Sequence, residues 1–108
     1  MEKFLPFGGL NIKNGVMFFF KELPEKIVWK KPVLQEFNDE IYAFIGEGIY
    51  IPIEKLPLED IINNNAGIII LALINEQNFL AKTLYTIELQ KETALELYAL
   101  IKAKSLIT

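Results

Sequence analysis

Between Phe4 and Leu89 apolar positions recur mostly with the period of two that a pleated strand imposes. Leu10-Asn11-Ile12-Lys13 alternates, Asn14-Gly15 can supply the positive-φ pair of a type I′ turn, and Val16-Met17-Phe18-Phe19-Phe20 returns. This pattern predicts a hairpin with Asn14-Gly15 at its tip. Five consecutive apolar residues on the return strand mean that both of its faces are covered, which puts it inside a sheet and not at its edge. Leu23-Pro24-Glu25 interrupts the pattern; Lys26-Ile27-Val28-Trp29-Lys30 resumes it as a further strand, ending at Lys31-Pro32.

Residues 33–37 and 41–45 flank Asn38-Asp39-Glu40 and predict a second hairpin. Gly46-Glu47-Gly48 turns the chain into Ile49-Tyr50-Ile51-Pro52-Ile53. Pro52 has no N–H for a ladder, so this strand is placed at an edge or a bulge. In 56–67, Pro57 stands near a helix start, Glu59 and Asp60 fall in the first turn, and asparagines and Gly67 mark the end, which predicts a short helix. Residues 68–74 form a buried strand, turned by Asn75-Glu76-Gln77-Asn78 into a longer one over 79–89. On that strand Phe79, Ala81, Thr83, Tyr85, Ile87 and Leu89 share a face opposed to Leu80, Lys82, Leu84, Thr86 and Glu88.

From Gln90 the period changes and strong helix formers follow, predicting a helix over 90–107. The fold class is α+β: one β-rich domain over 1–108, built as a mostly antiparallel β-sheet or small barrel closed by the C-terminal α-helix. In the order of its elements the chain resembles the pleckstrin-homology superfold, a likeness of topology with no motif attached and no functional implication.

The C-terminal helix carries two apolar faces. Ala94, Leu97, Tyr98 and Ile101 form one stripe, while Leu95, Ala99 and Leu106 lie nearly opposite. If the first packs on the sheet, the second awaits a loop, a second copy or a partner. The strand at Ile49, Tyr50 and Ile51 offers a sheet edge that a partner strand could join.

Composition narrows the chemistry. In 108 residues, 52% are hydrophobic, enough to build a core without a ligand. The chain has no cysteine, no histidine and no arginine; all eleven basic residues are lysine. Disulfides, thiolate chemistry, imidazole general bases and bidentate guanidinium clamps are therefore outside its reach. Ser105 is the single serine, with no imidazole to activate it. Abundant lysine, asparagine and isoleucine without arginine also fit a coding sequence poor in G and C, as in mobile elements or AT-rich hosts.

Other constellations have plain explanations. Phe18, Phe19, Phe20, Trp29, Tyr42, Phe44 and Tyr50 could suggest a base-stacking platform, but a net charge of −3 without arginine argues for core packing and against nucleic acid. Gly8-Gly9 and Gly46-Glu47-Gly48 lack the spacing of phosphate or dinucleotide loops and are assigned to turns. Asp39, Glu40, Glu47, Glu54, Glu59 and Asp60 are taken as solvated loop charges, with no metal or cofactor expected. Lys82 has no apolar pocket in the sequence to make it a Schiff-base amine. The amino-terminal residues show no apolar core of signal-peptide length, and the longest apolar run, 66–74, is too short for a spanning helix.

The expectation is a non-catalytic protein–protein interaction module. It would be a subunit of a larger, conceivably viral, assembly or a small acidic inhibitor or adaptor, cytoplasmic or virion-associated. Its partner would be another protein or a second copy, reached through Leu95, Ala99 and Leu106 or through Ile49, Tyr50 and Ile51. No nucleic acid or membrane is expected as partner. The alternative is a binder of a small apolar ligand in a barrel-like interior.

Overall fold

Two-residue turns set the corners of the chain. The computed structural model describes residues 3–27, 30–75, 77–78 and 81–107. Strand β1 (Gly8–Ile12) pairs antiparallel with β2 (Gly15–Phe20) around the loop Lys13-Asn14, in which Asn14 takes a left-handed backbone at φ 62°. The turn therefore sits one residue earlier than Asn14-Gly15. Gly15 is needed for another reason: a Cβ there would collide with the carbonyl oxygen of Ile68 and lie 2.8 Å from its carbonyl carbon. Gly8 and Gly9, expected in a turn, belong to β1.

The second hairpin follows its pattern closely. Strands β3 (Val33–Phe37) and β4 (Glu40–Phe44) are joined by Asn38-Asp39, both at positive φ (53° and 62°), the requirement of a type I′ turn. Gly46, Glu47 and Gly48 all take positive φ and lead into β5 (Tyr50–Pro52), antiparallel to β4 and last in the order β3-β4-β5. The chain then makes a 3-10 turn, Ile53–Lys55, and a short helix α1 (Leu58–Asn63). The strand expected over 26–30 is not formed at Lys26, Ile27 or Lys30; Val28 and Trp29 lie outside the described residues.

Strand β6 (Ala66–Ile74) returns beside β2 and runs parallel to it, Gly15 facing Ile68 and Phe20 facing Leu73. Parallel neighbours cannot be joined by a tight turn. The connection is the whole stretch 21–65, which carries the second sheet and α1. Strand β7 (Ala81–Gln90) pairs antiparallel with β6, giving a four-stranded sheet in the order β1-β2-β6-β7. Helix α2 (Lys91–Ile107) follows directly and packs on α1.

The architecture is α+β with mixed and antiparallel sheets and a C-terminal helix. Neither sheet closes on itself, so no barrel forms, and the parallel β2–β6 pair departs from the antiparallel layout suggested by element order. The core lies between the layers. Val16, Phe18, Phe20, Ile69, Leu71 and Leu89 of the large sheet share one core cluster with Ala43 and Ile51 of the small one, with Ile45 and Ile49 between β4 and β5, and with Leu58, Ile61, Ala94 and Leu97 of the helices. Gly67 lets α1 approach, since a Cβ there would strike the Ile61 side chain. Among the described residues no polar or charged side chain is buried.

Candidate interaction surfaces

Paired residues in a sheet point to the same side, so the registers assign the described side chains of the large sheet to one of two faces up to the register shift at Leu73/Ile74. One face is the core side just described. The other holds three rows that run across all four strands. The first is Gly8, Phe19, Ala72 and Leu84; the second Leu10, Met17, Ile70 and Thr86; the third Ile12, Gly15, Ile68 and Glu88. Eight of these twelve are apolar residues larger than glycine, and the one charged residue, Glu88, stands at a corner.

This outer face is open. Leu10 is 58% exposed, Leu84 56% and Ile68 37%, while Ile12, Met17, Phe19 and Ile70 are half-buried by one another. Ala72 and Gly15 are themselves buried within this face, and none of its residues belongs to the core cluster or packs against it. Phe7 extends the surface at its border, with its ring 6.2 Å from that of Phe19. Strands of five, six, nine and ten residues, at about 3.3 Å per residue and about 4.8 Å between strands, give the face roughly 480 Å² in plan. That is within the range of the largest apolar patch on a typical soluble monomer, a patch that is often functional.

The surfaces singled out from sequence fare unequally. Ala94 and Leu97 are buried and Tyr98 and Ile101 pack against the core, which makes this stripe the inner face of α2. Leu95 is 44% exposed and Ala99 is exposed on the opposite side; Leu106 lies in the last turn of α2, its side chain outside the described set. Leu100 and Ala103 widen the exposed strip, which borders a groove shared with Lys31 and Pro32. Ile49, Tyr50 and Ile51, by contrast, are core residues with side chains at most 7% exposed. Their edge is also partly occupied: the Phe4 N–H donates to the Gly48 carbonyl at 2.8 Å, and the Tyr50 N–H donates to the Phe4 carbonyl at 3.0 Å. β5 is the edge strand of its sheet, and the amino-terminal segment meets that edge at a single bridge, Phe4 beside Ile49.

A third feature is a cleft of about 400 Å³ among the β3–β4 turn, the 3-10 turn, α1 and α2. Ile41, Ile53, Leu56, Tyr98 and Ile101 contribute apolar walls, and Asp39, Glu40, Glu54 and Glu59 bring carboxylates to its lining. Nearby, the Tyr42 hydroxyl donates to Glu40 Oε2 at 2.6 Å. That hydrogen bond, then burial, then the charges of Glu40 and Glu54 push the phenol up to about 12. Among the described residues no three acidic side chains gather as a metal site would require.

Of the aromatic cluster, Phe18 and Phe20 are core residues as expected, whereas Phe19 belongs to the outer face. The sequence did contain a signal for that face. Met17, Phe19, Ile68 and Ile70 make β2 and β6 apolar on both sides, and the fold supplies a cover for only one. Among the described residues no helix is long and apolar enough to cross a membrane. No protein-family model, no curated protein and no solved structure matches this chain.

Proposed function

We propose that this protein is a non-catalytic interaction module whose principal docking surface is the outer face of the four-stranded sheet. One observation carries the reading: a strand apolar on both faces is ordinarily covered on both, yet Leu10, Met17, Phe19, Ile70 and Leu84 face outward. The exposed strip of α2 at Leu95 and Ala99, in the helical layer, adds a second apolar surface. Two such surfaces in different layers suit a subunit that meets more than one neighbour in an assembly better than an inhibitor with a single target. Ligand storage in a barrel interior loses its premise, because the sheets stay open.

The test is the double substitution Leu10→Lys and Leu84→Lys. Both positions are exposed, so the fold should survive with a change of about 1 kcal/mol or less, and binding of an apolar fluorescent dye to the native protein, at dilutions where it is monomeric, should fall. A collapse of the near-ultraviolet circular dichroism would mean that the face is packed inside the fold, and the proposal would fail.

A further inference from the structure

We infer that the outer sheet face is covered by a second copy of this chain, packed face to face about a two-fold axis that runs along the strands between β2 and β6. This rests on the reading of that face as a docking surface and names its occupant. The argument is the fit of the face to itself. A two-fold axis in that position lays β7 of one copy over β1 of the other and β6 over β2, and it keeps each row opposite its own equivalent. In the first row Leu84 then meets Gly8; in the second Met17 meets Ile70 and Leu10 meets Thr86. A large residue meets a small one at Leu84 and Gly8, and medium ones meet medium ones in the centre, the alternation that lets two sheets interdigitate at about 10 Å.

Charge and area agree with this occupant. The chain carries a net −3, so two copies can approach only through a region free of like charge. The described side chains of this face include one acid, Glu88, at a corner of the face, where the pairing sets it over Ile12. Two faces of roughly 480 Å² in plan cover about 1,000 Å² together before side-chain relief is added, which reaches the lower bound for a specific interface.

The pairing makes a register-specific prediction. Leu10→Lys sets two charges opposite Thr86, and Thr86→Glu sets two opposite Leu10, so each variant alone should self-associate at least tenfold more weakly than the wild type by sedimentation or light scattering. Mixing the two variants should restore a heterodimer, because the new charges of opposite sign meet at one end while the native Thr86–Leu10 pair persists at the other. The absence of cysteine allows an independent reading: a nitroxide on Gln90→Cys, on β7 beyond the third row, should report a single distance between copies, roughly 18 Å between backbones from strand and sheet spacings.

A wild type that stays monomeric at every concentration, with both variants folded, overturns the second copy as occupant while leaving the face open to a foreign partner. A dimer that survives both substitutions, or that mixing fails to rescue, overturns this geometry. Loss of fold in both variants while the labelled Gln90→Cys protein gives no short distance overturns the inference and the docking surface together.

Discussion

Replacing Gly15 by alanine tests the least expected element of the fold, the parallel pairing of β2 with β6. The added methyl would collide with the Ile68 carbonyl oxygen and lie 2.8 Å from its carbonyl carbon, both backbone atoms that cannot swing aside. To admit it, the strands must part where the Ile68 N–H donates to the Asn14 carbonyl at 2.9 Å. Overpacking against side chains costs about 1–3 kcal/mol; against backbone the upper end is the minimum, and a lost hydrogen bond adds about 1 kcal/mol. The expected destabilisation is about 3 kcal/mol or more, a fall in Tm of roughly 12 °C or more for a domain of this size. Gly8→Ala is the control. Its Cβ would sit 3.4 Å from Phe19 Cδ2, an ordinary contact, so stability should stay level or rise by about 0.5 kcal/mol as the unfolded chain loses freedom. Gly9→Ala, 3.2 Å from the Met17 carbonyl oxygen, should fall between. Urea unfolding followed by circular dichroism separates the three. A Gly15→Ala protein within about 1 kcal/mol of the wild type would refute the close parallel approach.

Phe18 is fully buried at the centre of the core, and Phe18→Ala should cost about 3–5 kcal/mol in the same assay. Glu47 holds φ 55° between two glycines, so Glu47→Gly should raise stability by about 0.5–1 kcal/mol through relief of left-handed strain, read as a higher urea midpoint. Lys104 and Glu36 pair at 2.8 Å but remain partly exposed; Lys104→Ala should change stability by less than about 1 kcal/mol. Tyr42 ionises in the native protein at about 12, against 10.0 unperturbed. The native state therefore keeps a proton that the unfolded state releases, and the resulting stabilisation, complete below pH 10, is lost as pH climbs toward 12. Phenolate absorbance should show the late ionisation of Tyr42, and Glu40→Gln should bring that step to lower pH.

Local chemistry was legible in the chain. Asn38-Asp39 specified its type I′ turn, Gly46 and Gly48 their bend, and the change of period at Gln90 the final helix. Neighbour choice was not, because Ile68, Ile69, Ile70 and Leu71 are equally ready to pair with a parallel or an antiparallel strand, and only the globally packed chain selects β2. The same ambiguity hid the outer face. Consecutive apolar residues in β2 implied two covers without saying that one would come from outside the fold. At Ile49, Tyr50 and Ile51 the proline rightly signalled an edge strand, but a residue as distant as Phe4 had no local sign that it would join there.

The long connection between β2 and β6 also bears on how the chain reaches its native state. The β1–β2, β3–β4 and β6–β7 pairs each join neighbours in sequence and can close on the microsecond scale of hairpins, roughly 1–10 μs. Seating β6 against β2 requires the ends of the entire 21–65 stretch to meet, so this step should govern the folding rate. Until it occurs, Ala66-Gly67-Ile68-Ile69-Ile70-Leu71-Ala72-Leu73-Ile74 is uncharged, rich in β-branched residues and free of proline, the composition of an aggregation-prone segment. Slow refolding at high concentration should therefore favour precipitate, and the yield of native protein should depend on how soon that strand finds its parallel neighbour.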